Sequence, residues 1–135
     1  MTFSELLQIY FERSNALQSY WTVYVVVIGG LLAFSSLRKE PDHVTTLLIT
    51  VLFTFFAYKN LGAIQDVSVQ RFAVLEAMKQ ADAASDTPAA QTARKLLEPT
   101  LNPPEIEGVK KFHWASDLLT IAALWAMERR RRRKV

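Results

Sequence analysis

The stretch Tyr20–Leu37, YWTVYVVVIGGLLAFSSL, is 18 residues long and contains no charged side chain. A helix that crosses a bilayer needs about 20 mostly apolar residues. A helix packed in a soluble bundle would instead show a polar stripe at the helical period. No such stripe occurs here, because Val25–Leu32 is apolar or glycine throughout. The stretch therefore predicts a membrane-spanning helix.

Two further apolar blocks follow. Residues 44–61 stay apolar until Lys59, and residues 112–128 form a shorter block that carries His113 and Asp117. Tyrosines and tryptophans lie near the block ends, where amphipathic rings favour the membrane interface. A soluble fold of 135 residues could hardly bury three helices of this kind. We expect one all-α integral membrane domain with three transmembrane helices, at 20–37, 44–61 and 112–128.

The end of the chain predicts the orientation. Five arginines and a lysine follow the third block directly, and such a run is hard to translocate. Residues 129–135 are therefore expected to form a basic cytoplasmic tail, with residues 38–43 as an inner turn and the N-terminus outside. The expected setting is a bacterial inner membrane.

The same run is expected to attract anionic lipid headgroups. The residues concerned are Arg129, Arg130, Arg131, Arg132, Arg133 and Lys134. Nucleic acid is the alternative ligand of a basic cluster, but neither interleaved aromatic residues nor a recognisable motif accompanies this one. We therefore expect membrane lipids, and no nucleic acid, as its partner.

The remaining segments predict helices on the outer side. Thr2 and Glu5 have the spacing of a capping box, and an apolar stripe continues towards Trp21, so one helix is expected over residues 3–37 with an amphipathic outer part at 1–19. A helical pattern also continues past Leu61 to about residue 82. Its candidate core positions are Ile64, Val67, Phe72, Leu75 and Met78.

These two extensions leave the same membrane face, so they should pack on each other or on a partner. Thr87 before Pro88 predicts the start of a short helix over 89–98, and a proline-rich loop should lead back to the third span. Residues 62–111 are thus expected to form an outer helical hairpin and loop.

Asp117 is the most informative polar residue, because a charge inside a membrane is costly and usually has a partner. Lys59 lies at a similar predicted depth, so we expect an intramembrane Lys59–Asp117 pair. The pair could be structural, or it could belong to a proton or ion relay or to a contact with a partner subunit. His113 and Asp117 also share one helical face, but two ligands are too few for a metal site. No metal and no cofactor are expected.

Small residues favour close helix packing. Gly29, Gly30 and Ala33 on the first span, and Ala122 and Ala126 on the third, provide such positions. The sequence leaves open whether they pack within one chain or between chains.

The sequence contains no cysteine and none of the common hydrolase, metalloprotease or nucleotide-binding motifs, so an enzyme is not expected. The leading hypothesis is a non-catalytic membrane protein that acts by assembly, as a homo-oligomer or as an accessory subunit. One alternative is an oligomeric ion channel or membrane-permeabilising effector, with polar residues such as Asp117, Thr50 and Thr54 lining a pore. A further alternative is a membrane sensor whose basic tail transmits a signal.

Overall fold

The computed structural model describes residues 1–134, so Val135, the last residue of the predicted tail, lies outside it. Four α-helices account for most of this range: α1 (Phe3–Leu37), α2 (His43–Gln80), α3 (Pro88–Leu97) and α4 (Ile106–Arg132). Short 3₁₀ turns occur at Ala83–Ser85 and Glu98–Thr100. Residues 1–134 contain no strand, which confirms the all-α prediction.

The two long helices begin at well-formed caps. The Thr2 hydroxyl accepts from the Glu5 amide at 3.3 Å, and the Glu5 carboxylate accepts from the Thr2 amide at 2.7 Å. This is the predicted capping box, and α1 has the predicted bounds. The α2 helix begins after Asp42, whose carboxylate accepts from the Thr45 amide at 3.1 Å. We call the end of the bundle where residues 38–42 connect α1 to α2 the turn end.

Two helices, α1 and α2, are long and apolar enough to cross a membrane. Only 11% of the most apolar 18-residue window of α1 is buried within the fold, and 28% of that of α2. The core helix of a soluble protein would instead be mostly buried. The shorter α4 is not among the helices that are apolar enough to cross a membrane by composition alone, because His113, Asp117 and Glu128 lower its mean hydropathy. The helix that contains the third predicted span therefore does not share the apolar character of the other two.

Within the apolar part, α4 packs against both long helices. The centre of this three-helix contact is formed by Tyr24 of α1 and by Phe53 and Ala57 of α2. Partly buried apolar residues surround it: Trp21, Val27, Ile28, Leu31, Phe56 and Ile121. Ile121 brings α4 into the same cluster, so the three helices share one interior along this length.

Beyond the apolar part, residues 3–19 of α1 and 62–80 of α2 continue side by side as a helical extension. Phe3, Leu6 and Tyr10 pack there against Leu75 and Met78. The two extensions therefore pack on each other, one of the two predicted possibilities. Four of the five candidate core positions in α2 are buried, but Phe72 is 37% exposed. Its neighbour Arg71 faces α1 instead and donates to the Tyr10 hydroxyl at 3.0 Å.

Arg94 of α3 closes this extension. Its guanidinium donates to the Asp86 carboxylate at 2.7 and 2.9 Å and to the Met78 carbonyl, in the last turn of α2, at 2.7 Å. It also lies 4.5 Å from the centre of the Phe3 ring. The Thr87 cap with Pro88 at the first helical position is present as predicted. One arginine thus connects α3 to both long helices.

The α4 helix is longer than the predicted span at both ends. It begins at Ile106 rather than Phe112, directly after the two prolines of the loop, with Glu107 in its first turn, where the helix dipole favours an acidic residue. It continues through Arg129–Arg132, because arginine is a strong helix former and basic residues are favourable at a helix C-terminus. Most of the predicted tail is therefore helical.

Candidate functional site

Two clusters of polar side chains connect the three helices, one near each end of the apolar part. The first, which we call the histidine cluster, consists of Tyr24, Asn60, His113 and Asp117. The Tyr24 hydroxyl lies 2.7 Å from Asp117 Oδ1, and Asp117 Oδ2 lies 2.9 Å from His113 Nδ1. His113 is fully buried, and its ring centre lies 4.2 Å from that of Tyr24.

Both ring nitrogens of His113 have hydrogen-bond partners. Asn60 uses its amide nitrogen to donate to the Tyr20 carbonyl at 3.2 Å, so its amide oxygen faces His113 Nε2 at 3.3 Å. The other ring nitrogen faces the Asp117 carboxylate. Both ring nitrogens of His113 thus face side-chain oxygen atoms, one on α2 and one on α4.

The structure does not bring Lys59 and Asp117 together. Lys59 lies in a surface groove with Tyr58, Asp66 and Lys110, and within residues 1–134 its side chain forms neither a hydrogen bond nor an ion pair. The physical reason is the rotation of about 100° between neighbouring helical residues. Asn60 takes the inward position of α2, so the next residue back points away. His113 and Tyr24 replace the lysine as the partners of Asp117.

The second cluster, which we call the glutamate cluster, is built around Glu128 of α4. This carboxylate is fully buried. Its Oε2 atom lies 2.9 Å from Arg131 Nη2, 3.2 Å from Thr46 Oγ1 and 4.0 Å from Arg38 Nη2. Its Oε1 atom has no hydrogen-bond partner within residues 1–134, although the His43 ring is 3.5 Å away.

The same cluster joins all three helices at the turn end. Arg131 Nη1 donates to the Ser35 carbonyl of α1 at 2.6 Å, while Arg38 donates to Thr46 Oγ1 and to the Asp42 carbonyl, both at 3.1 Å. Arg131 is 8% exposed, and its Nε atom is buried without a hydrogen-bond partner in the part of the chain that the structure describes. An unsatisfied buried donor costs about 1–3 kcal/mol, so this cluster holds Arg131 at some cost in stability.

The six basic residues that the sequence presents as one run have different environments. Arg131 is buried, and Arg132, half exposed, lies 3.6 Å from Glu128. The other four are exposed, and their side chains form no ion pair within residues 1–134: Arg129, Arg130, Arg133 and Lys134. Sequence reasoning overlooked Glu128. Its signal was an acidic residue spaced three and four positions before arginines on one helix face.

The small residues lie on the outside of the bundle. Gly29, Gly30 and Ala33 on α1, and Ala122 and Ala126 on α4, are all exposed. A Cβ atom built on either glycine meets no heavy atom within 4 Å. These five positions therefore do not pack helices within the described chain.

The residues suggested for a pore lining do not share one surface. Thr50 accepts from Trp125 Nε1 at 3.2 Å, between α2 and α4, whereas Thr54 is exposed and donates to the Thr50 carbonyl. Asp117 is engaged in the histidine cluster. Within one chain these three side chains do not line a common path.

Residues 1–134 bring no three histidine, aspartate or glutamate side chains together as a set that could hold a metal ion. His43 belongs to the glutamate cluster and His113 to the histidine cluster, so the two histidines lie at different levels of the bundle. Comparison with known proteins gave no match, neither to a family model nor to a curated protein or a solved structure.

Proposed function

We propose that this protein is a small, non-catalytic integral membrane protein with three spanning helices that acts by assembly, as a homo-oligomer or as an accessory subunit. The observation that supports the proposal is that the small residues of α1 and α4 lie on the outside of the bundle. The polar side chains inside the bundle mostly bond to each other, in the histidine and glutamate clusters. Contacts that determine function then lie on the outer surface. A bacterial inner membrane is the proposed setting.

The packing of α4 supports a third span. Its 27 residues measure roughly 40 Å at 1.5 Å per residue, enough to cross the hydrocarbon core. It runs beside the apolar parts of α1 and α2, and it places Asp117 and Glu128 inside the bundle. Its outer face carries apolar residues, of which Leu118 and Leu119 are 69% and 71% exposed. Such a distribution suits a helix surrounded by lipid and by two other helices.

The charges at the turn end support the orientation. Arg38 and Lys39 lie in the connection between α1 and α2, and the exposed arginines of α4 come to the same end. Basic residues close to the ends of spans favour the cytoplasmic side. The turn end is therefore proposed to be cytoplasmic, and the helical extension with α3 to lie outside.

The exposed glycines support assembly. Gly29 and Ala33 let a neighbouring helix approach the α1 backbone closely, and no residue of the described chain occupies that space. Ala122 and Ala126 offer the same on α4. The bundle therefore has two surfaces, one on α1 and one on α4, on which a second copy of the chain or another membrane subunit could pack.

Native mass spectrometry of protein extracted gently from its own membrane tests the proposal. We expect a discrete homo-oligomer or a complex with other polypeptides. A double substitution, Gly29→Ile with Ala33→Ile, should disrupt it without unfolding the monomer, because a Cβ atom at Gly29 meets no heavy atom within 4 Å and Ala33 is exposed. The same pair of substitutions at Ala122 and Ala126 tests the second surface.

Leu52→Phe is the matched control, since it enlarges a 67% exposed side chain on α2, away from both surfaces. It should leave the complex intact. A bare monomer from the native membrane contradicts assembly. A complex that survives substitution of both surfaces shows that the small residues are not the interface.

A further inference from the structure

We propose that a groove at the turn end, between the C-terminal ends of α1 and α4, binds the phosphate group of an anionic ligand, which we assign to a phospholipid headgroup. The groove has a volume of about 600 Å³. Its polar lining consists of Ser36, Arg38, Lys39, Arg130, Arg131 and Lys134. Among residues 1–134 no acidic side chain lines it, and five of these six side chains are basic.

Glu128 neutralises only part of this charge. It lies close to Arg131, Arg132 and Arg38, and Asp42 Oδ2 lies 4.0 Å from Arg38 Nη2, so two carboxylates face three guanidinium groups. The side chains of Lys39, Arg130 and Lys134 form no hydrogen bond or ion pair anywhere in residues 1–134. Three basic side chains around the groove are therefore available to an anion.

Arg131 adds a further positive charge to the wall of the groove. It is nine-tenths buried, it lines the groove, and its Nε atom has no hydrogen-bond partner in the described chain. Its two other guanidinium nitrogens are fixed by Ser35 and Glu128. Because that Nε atom is itself closed off from solvent, Arg131 contributes a fixed positive charge at the wall of the groove, and the direct donors to a phosphate are the unpaired side chains of Lys39, Arg130 and Lys134.

The helix dipoles oppose an anion at this place, because both α1 and α4 present their C-terminal, partially negative ends. Each end corresponds to about half of an elementary charge. The Arg131–Ser35 bond satisfies one of the terminal carbonyl groups of α1. The whole positive charges of Lys39, Arg130 and Lys134 exceed the two partial negative charges, so the net field in the groove favours an anion.

The position of the groove indicates the source of the phosphate. Leu37 and Val44, at the adjoining ends of α1 and α2, are 79% and 68% exposed. The apolar surface proposed to face lipid thus ends beside the groove, at the depth of the headgroups. This assignment rests on the proposed membrane location, whereas the binding of a phosphate group itself does not.

The test is a titration of the full-length protein in neutral detergent, followed by native mass spectrometry. The ligands are phosphatidylglycerol, phosphatidylcholine and inorganic phosphate. The groove variant is Lys39→Gln with Arg130→Gln, whose side chains form no hydrogen bond or ion pair within residues 1–134. The control is Arg129→Gln with Arg133→Gln, which removes the same charge from the same end but outside the groove.

We expect the wild type to retain phosphatidylglycerol in preference to phosphatidylcholine. The groove variant should bind it roughly tenfold or more weakly, and the control less than about threefold more weakly. Binding of inorganic phosphate but not of phosphatidylglycerol, with the same sensitivity to the groove variant, supports the site and identifies free phosphate as its ligand. Equal losses in the two variants overturn the proposal, because they indicate only the general charge of the helix end.

Failure of the membrane proposal is recognised separately. If alkaline carbonate releases the protein from its native membranes, it is not an integral membrane protein, and a phosphate site would then have to be shown with inorganic phosphate. If the protein stays in the membrane while no ligand distinguishes the groove variant from the control, only the groove is wrong.

Discussion

Arg131 donates from Nη1 to the Ser35 carbonyl at 2.6 Å, so a member of the arginine run bonds α4 to the last turn of α1. Arg131, which the sequence predicts as part of a lipid-binding cytoplasmic tail, is instead buried between helices. The same guanidinium binds Glu128 at 2.9 Å, and Glu128 in turn reaches Thr46 on α2. The turn end is therefore connected through side chains of all three helices.

Replacing Glu128 should destabilise the bundle, because Arg131 would keep its buried charge without a counter-charge and Arg38 would keep only Asp42, 4.0 Å away. Breaking a buried pair costs about 3–5 kcal/mol. We expect about 2–3 kcal/mol for Glu128→Gln, since His43 and Arg132 beside it are each about half exposed. Thermal unfolding in detergent measures the loss. Glu107→Gln, at a 71% exposed carboxylate in the first turn of α4 that is paired with Lys110, serves as the control and should cost less than about 1 kcal/mol.

The partner of Asp117 can be identified by double-mutant cycles. Tyr24→Phe and Asp117→Asn should show a coupling free energy of about 0.5–3 kcal/mol, because the two side chains are in contact at 2.7 Å. Lys59→Met and Asp117→Asn should be additive. Urea or thermal unfolding of the two single variants and the double variant in each cycle gives the values. A substantial coupling to Lys59, with none to Tyr24, contradicts the geometry of the histidine cluster.

Cysteine labelling can test the three-span topology, since the natural chain contains no cysteine. Ser85→Cys, Glu40→Cys and Lys134→Cys each place one thiol at an exposed position. A membrane-impermeant maleimide applied from outside should label Ser85→Cys alone, and the other two only after permeabilisation. Labelling of Lys134→Cys together with Ser85→Cys shows that α4 does not cross the membrane.

Acid should weaken the start of α2. Hydrogen bonds from the Thr45 hydroxyl and amide hold the pKa of Asp42 below its ordinary value of 3.8. A carboxylate with a lowered pKa in the folded state stabilises the fold fully above the unfolded-state pKa, and that contribution is lost as the pH falls through the lower, folded-state pKa. A carboxyl ¹³C titration should place the Asp42 midpoint below 3.8. Asp42→Asn retains the cap without titrating, so its α2 terminus should be insensitive to acid over this range.

Removing the Arg94 guanidinium should loosen α3 from the two long helices. Arg94→Met deletes three short hydrogen bonds to Asp86 and Met78, and charge-assisted bonds contribute about 1.5–3 kcal/mol each at most. Hydrogen exchange should accelerate over residues 81–105 while residues 43–60 keep their protection. Lys95→Met, at the neighbouring exposed position, is the control. Unchanged exchange in Arg94→Met contradicts the role given to this arginine.

Features that depend on neighbouring residues along the chain could be predicted from the sequence. The Thr2 cap, the Thr87–Pro88 start and the bounds of α1 follow from local hydrogen bonding and from helical periodicity. Of the three spans predicted from the apolar blocks, the first two lie in helices that are long and apolar enough to cross a membrane.

Features that depend on helix rotation could not be predicted. The predicted membrane depths of Lys59 and Asp117 are similar, but only the packing of the three helices determines that Asn60, and not Lys59, faces inward. The burial of Glu128 could not be predicted for a related reason. The sequence shows it beside five arginines, whereas its burial arises from Ser35, Arg38 and Thr46, which are distant along the chain. The side chains that join the helices are therefore the part of the site that required the structure.

The two polar clusters set a fixed spacing along the bundle. Eleven positions separate Tyr24 from Ser35 on α1, and eleven separate Asp117 from Glu128 on α4, roughly 16 Å on each helix. Eleven residues amount to about three complete turns, so both clusters lie on the same face of each helix. One residue inserted between Asp117 and Glu128 would rotate one end of α4 by about 100° relative to the other. The distance between the histidine cluster and the glutamate cluster therefore fixes the length of this apolar segment. If α4 moved along its axis or rotated, the hydrogen bonds of at least one of the two clusters would break.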